Sequence, residues 1–231
     1  MSPRLTMPHI VAEYPDAVAV GTRTAADEDR AWLARALLVL LDPRPVFAAL
    51  RDDSDEAARA RQEPITALVG LAGIASVLWT PVAGRMLDLQ DVDGLVVAVW
   101  AFLGGVIYGL AVYFALGAAV YLGLRAAGSL GSYRRARHLL AFAAAPLALS
   151  LVVWPVRLAV YGGDVFRAGG SDHGAGNAAF VAVELGFVAW AVGLLLVGTR
   201  TLHAWTWART LEGVGVSFAI PFLVALAVYV L

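Results

Sequence analysis

Arg157 and Glu184 are the residues of this chain whose type and placement come nearest to chemistry, because each lies within an apolar run. A charge in such surroundings is costly unless it is neutralised, paired or turned toward water. Counting inward from Tyr161 and from Asn177 puts the two at comparable depth on adjoining antiparallel segments. The expectation is a structural ion pair between helices, with a proton or substrate site as the competing reading. The other candidates for chemistry are weaker. His9, His138, His173 and His203 lie far apart without ligand spacing, and Asp164, Asp172 and His173 read as a solvated loop. Gly174-Ala175-Gly176-Asn177-Ala178-Ala179 fits a relaxed dinucleotide pattern but precedes an apolar run and follows no strand, so the context that gives the pattern meaning is missing.

Absent residue types narrow the chemistry further. The chain has no cysteine, which removes thiolate nucleophiles, iron–sulfur ligation and cysteine zinc sites. All 17 basic residues are arginine, so there is no P-loop or Schiff-base lysine. No catalytic, cofactor-binding or metal-binding residue is assigned, no cofactor is expected, and the chain reads as a non-enzyme. Acidic and basic residues alternate in the N-terminal segment and the net charge is −1, which indicates no nucleic-acid face.

The elements that must carry these residues are helices in a membrane. Of 231 residues, 60% are hydrophobic and 15% charged, and the mean hydropathy is +0.74; long apolar runs separated by short charged patches mark a polytopic protein. The expected fold is all-α, a bundle of five transmembrane helices behind a cytoplasmic tail with a short amphipathic helix. Residues 1–26, with Pro3, Pro8 and Pro15, read as a disordered tail. Residues 27–63 read as an interfacial segment with an amphipathic helix over Ala31–Leu41, too short to span. The transmembrane domain occupies 64–231, with spans at about 65–87, 95–124, 138–161, 177–199 and 213–231. The second exceeds a bilayer core of ~30 Å at ~1.5 Å per residue and must tilt or protrude. Pro81, Pro146, Pro155 and Pro221 read as kinks.

Arginine placement sets the expected orientation. Arg125, Arg134, Arg135 and Arg137 share one loop without an acid, whereas the loops of the other side carry Asp88, Asp91, Asp93, Asp164 and Asp172. Basic loops stay inside, so the N-terminus is expected in the cytoplasm and the C-terminus outside the cell membrane. Gly105, Gly109 and Gly117 on the second span, and Gly186 and Gly193 on the fourth, form small-residue stripes that serve either packing within the bundle or a homo-oligomer.

Two stretches carry a resemblance. Leu41-Asp42-Pro43-Arg44-Pro45-Val46-Phe47 precedes the first span, and Gly131-Ser132-Tyr133-Arg134-Arg135-Ala136-Arg137-His138 leads through an Ala-rich run to Pro146. With the closely spaced spans they resemble the Yip domain family, Rab-interacting membrane proteins, over roughly Ala36–Leu231. In eukaryotic members the resemblance implies binding of prenylated small GTPases and a role in vesicle traffic. This chain lacks the Tyr-Gly-Pro-Phe-Trp type signature of that branch, so the likeness is to a prokaryotic member. The expected function is a non-catalytic scaffold that organises membrane lipids or a protein partner from the cytoplasmic face, with the basic loop engaging anionic headgroups or an acidic partner. The alternative is a small transporter or permease subunit with Glu184 as its titrating group.

Overall fold

The structure is a computed structural model and describes residues 34, 36–172 and 174–230. The expected tail, and the part of the expected amphipathic helix before residue 36 other than residue 34, lie outside the described residues. Every regular element among those described is a helix. A short helix α1 (36–41) leads through Asp42 into α2 (Pro43–Ala49), where Pro43 and Pro45 stand in the first turn, a position that needs no backbone N–H. Ser54 then caps α3 (Asp55–Ala60) by accepting a hydrogen bond from Ala57 N at 3.2 Å.

The first apolar run departs from expectation. It forms α4 (Gln62–Leu78), then a turn, then a 3-10 helix at Ala83–Asp88, rather than one span over 65–87. The helix closes at Trp79, and Pro81, which has no N–H to donate, prevents its resumption. The second run matches well: α5 (Gly94–Ala126) starts where Asp93 accepts from Val96 N at 2.9 Å and continues for 33 residues, ~50 Å.

The third run begins earlier than expected and is broken. Ser132 caps α6 (Tyr133–Ala143), so Arg134, Arg135 and Arg137 are helical residues and not loop residues. Pro146 ends that helix, α7 (Ala145–Leu149) restarts it, and a 3-10 turn joins α7 to α8 (Val153–Tyr161). Pro155 falls in the first turn of α8, where the backbone N–H is dispensable. A second 3-10 segment, Gly162–Phe166, completes this arm. The fourth and fifth runs form α9 (Ala175–His203) and α10 (Trp207–Val230, with Pro221 inside). Between the expected spans 177–199 and 213–231 the connection is only the three residues 204–206, turned by Ala204 in the left-handed region at φ 53°.

Helix α5 is the axis of the bundle, with α4, α6 and α10 packed along it. A Cβ on Gly73, Gly105 or Gly109 would overlap the backbone of the facing helix, so α4 and α5 touch backbone to backbone. One apolar cluster, including Phe47, Leu50, Leu139, Phe142 and Leu202, closes one end; Met86, Val97, Trp154, Val165 and Phe166 close the other. The outer surface is itself apolar: Leu95, Phe102, Ile107, Val156, Leu185 and Phe222 are all more than half exposed, a surface that suits lipid and not water. Gly94–Ala126, Tyr133–Phe166 and Gly176–His203 are long and apolar enough to cross a membrane, while Gln62–Leu78 is a shorter apolar helix.

Candidate functional site

At the end where α5 finishes and α6 starts, arginines meet an acidic connector. The mixed charges from Arg51 to Glu63 suggest a solvated connector, yet its first part is bound down. Arg134 Nε donates to Asp53 Oδ1 at 3.0 Å, its Nη1 to Asp55 Oδ1 at 2.6 Å and its Nη2 to the Asp53 carbonyl. Ser132 donates its hydroxyl to the other oxygen of Asp53. Arg135 donates to the Arg51 carbonyl at 2.9 Å, and Arg51 in turn donates to the carbonyls of Thr201 and Leu202 at the end of α9. Those carbonyls have no partner within their own helix, which is why a cation is welcome there. Burial pushes the Asp53 carboxyl up, but hydrogen bonds from Ser132 and Arg134, with the charges of Arg134 and Arg135, hold it below its ordinary value. The hydrogen bond from Arg134, and then its charge, lower Asp55 as well.

Of the four arginines expected to face lipid or a partner, Arg134 and Arg135 are therefore largely spent inside the chain. Arg125 lies over the Tyr121 ring at 5.8 Å. Arg137 is stacked within an aromatic cage, 5.2 Å from the centre of Tyr113, 4.7 Å from Phe114 and 4.6 Å from Tyr133. Beside it opens a cavity of about 490 Å³, whose walls include Arg59, Gln62, Leu110, Tyr113, Arg137 and His138. Tyr113 also borders a narrow apolar crevice of about 90 Å³ between α4, α5 and the α6–α7 break. Sequence reasoning missed Arg59, Tyr113 and Phe114; the legible signal was aromatic residues on α5 at the level of the arginine-rich start of α6.

The expected Arg157–Glu184 pair is not formed. Arg157, on α8 and 7% exposed, donates through Nη2 to Asp172 Oδ2 at 2.8 Å and to Asn177 Oδ1 at 3.1 Å. Glu184 accepts from the Ser150 hydroxyl at 3.3 Å. Counting depth from the ends of the runs assumed straight helices, whereas the Gly162–Phe166 turn and the residues after it fold back and deliver Asp172 to Arg157.

The family model of the Yip1 domain matches residues 37–229. This chain belongs to the Yip1 domain family. No curated protein and no solved structure matches it. The matched region takes in α2, whose Phe47 is fully buried against Gly198 of α9 and Leu139 of α6, so the proline-bearing segment before the first apolar helix is an integral part of the Yip1 domain. The small-residue stripes of this Yip1 domain divide. Gly105 and Gly109 seat α4, and Gly117 makes room for the Arg137 side chain. A Cβ at Gly186 or Gly193 would meet nothing within 4 Å among the described residues. Within the Yip1 domain the α5 stripe is thus committed to the bundle, and the α9 stripe is not.

Proposed function

We propose that this Yip1 domain protein is a non-catalytic organiser in the cell membrane, holding anionic lipids, and through them a protein partner, at the cytoplasmic face. In this reading five helices span, the connector 51–61 and the start of α6 face the cytoplasm, and the C-terminus lies outside. The observation that carries it is the 490 Å³ cavity, where Arg59 and Arg137 meet the outward-facing Leu110 and Phe114 of α5 and Tyr113 leads on to the apolar crevice. A headgroup phosphate suits the guanidiniums, and an acyl chain suits the wall beside them. The basic cluster as a whole is a poorer candidate, because Arg134 and Arg135 already hold the connector.

Vesicle binding tests this. Purified chain carrying Arg59→Gln and Arg137→Gln should retain its fold and lose affinity for phosphatidylglycerol vesicles by roughly thirtyfold, at about 1 kcal/mol per cation near an anionic surface. Equal affinity of both proteins would refute the reading. The transporter alternative retains one supporting observation: Glu184 Oε2 is buried with no hydrogen-bond partner among the described residues. It requires pH-dependent flux in proteoliposomes that Glu184→Gln abolishes.

A further inference from the structure

The cavity beside Arg137 is lined by more than cations. It opens where α3, the first turns of α4, the middle of α5 and the start of α6 converge, and its walls carry charged and uncharged polar groups together. Arg134 is spoken for, shared between Asp53 and Asp55. Arg59 and Arg137 form no ion pair among the described residues, which leaves them to neutralise a phosphate. Two guanidiniums do not account for about 490 Å³. A space of that size admits a whole small molecule and not just one ionic group, so the rest of the wall decides what the phosphate carries.

That wall offers uncharged donors and acceptors that the described residues leave unmatched. Tyr113 is 9% exposed and His138 8%, and both line the cavity. The Tyr113 hydroxyl and His138 Nε2 have no hydrogen-bond partner among the described residues. Unlike His138 Nδ1, which is buried outright, they are not closed off, so the little surface these side chains keep serves the cavity. Native proteins pair nearly all buried polar groups, and both atoms call for a partner that enters from the cavity. Gln62 and Thr66 stand one turn apart on the same face of α4 and border the same space. Thr66 gives its proton to the Gln62 carbonyl at 2.8 Å, which makes its oxygen an acceptor for an incoming hydroxyl, while the Gln62 side-chain amide both gives and accepts.

We infer, resting on the proposed reading of this cavity as an anionic-lipid site, that it selects a hydroxylated headgroup: a phospholipid whose phosphate carries a polyol of the glycerol or inositol kind. A polyol matches the wall because each of its hydroxyls donates and accepts at once, as a tyrosine hydroxyl, a threonine oxygen and an imidazole nitrogen between them require. Other headgroups fit less well. An ammonium, as in ethanolamine or choline, would stand against Arg59 and Arg137, with Asp55 already held by Arg134. A phosphate bearing only an alkyl group would satisfy the guanidiniums and leave the Tyr113 hydroxyl and His138 Nε2 unmatched, which is the costly outcome for groups so nearly buried.

The test sets two lipids of equal charge in competition on the full chain in detergent. Phosphatidylglycerol and phosphatidylethanol each carry a single negative charge and differ in the headgroup hydroxyls. Equimolar amounts are added, and the lipid retained is read by native mass spectrometry. Wild type should retain phosphatidylglycerol in preference by about tenfold or more. Tyr113→Phe deletes only the hydroxyl and keeps the ring beside Arg137; with its fold verified by an unchanged circular dichroism spectrum, it should bring the ratio toward one. Replacing phosphatidylglycerol by phosphatidylinositol repeats the comparison for the larger polyol, and preference for either over phosphatidylethanol upholds the class. Equal retention of the polyol and ethanol lipids by wild type overturns the inference, as does a full preference surviving in Tyr113→Phe. Failure of the underlying reading looks different: neither lipid is retained, or Arg59→Gln/Arg137→Gln retains both as wild type does, and either result removes the headgroup selection with it.

Discussion

Arg157 illustrates how a buried cation is made tolerable: a carboxylate at 2.8 Å, an amide oxygen at 3.1 Å and two indole faces surround it. Removing one partner of a buried ion pair leaves the other uncompensated and costs about 3–5 kcal/mol. Arg157→Gln should therefore lower the thermal stability of the purified protein strongly. Glu184→Gln should cost less than about 1 kcal/mol, because the amide oxygen can still accept from Ser150. Equal losses for the two variants in a detergent melting experiment would contradict this assignment. The chain announced both residues through their apolar surroundings but could not announce their partners. Asp172 lies 15 positions from Arg157 across a folded turn, and Asp53 lies 81 from Arg134, so neither pairing leaves a periodic trace.

At the scale of elements, the glycines of α5 and α9 look alike in sequence and differ in what faces them. Gly105→Ala and Gly109→Ala drive a methyl group into the backbone of α4 and should destabilise the bundle by about 1–3 kcal/mol each. Gly186→Ala and Gly193→Ala meet open space and should be neutral or stabilising by up to about 1 kcal/mol, since alanine is the better helix former. Thermal unfolding in detergent decides between these outcomes, and destabilisation by the α9 pair would show that its stripe is covered. Helix α5 was legible almost to the residue because its apolar run is long and its Asp93 cap sits next to Gly94. The first and third runs were read too simply. Pro81 and Pro146 were visible, but whether a proline bends a helix or ends it depends on the packing around it, and here Trp79 and Ala144 close their helices.

For the whole molecule, the natural absence of cysteine offers a direct assay of the proposed topology. Asp91→Cys and Ala204→Cys each introduce the sole thiol of the chain. In intact cells a membrane-impermeant maleimide should label the first and not the second; labelling of both, or of Ala204→Cys alone, would overturn the arrangement. Helical class and membrane character followed from composition, because burying or solvating so much apolar surface leaves few alternatives. The connector clamp did not follow from it. Residues 51–63 carry the mixed charges of a solvated link, and Arg51, Asp53 and Asp55 are fixed only because the matching arginines return 79 to 84 residues later.

The contrast between α4 and its neighbour reaches beyond the protein. Seventeen residues give α4 a length of ~25 Å, against ~50 Å for α5 alongside it. In the proposed five-span arrangement, lipids bordering α4 would compress and splay, while those along the outer face of α5 would remain at full height. Such lopsided elastic strain costs fractions of a kcal/mol per ångström, and it is relieved where the bilayer is already thin or strongly curved. Geometry alone would then draw these molecules toward such regions, and toward one another wherever their strained rims can be shared.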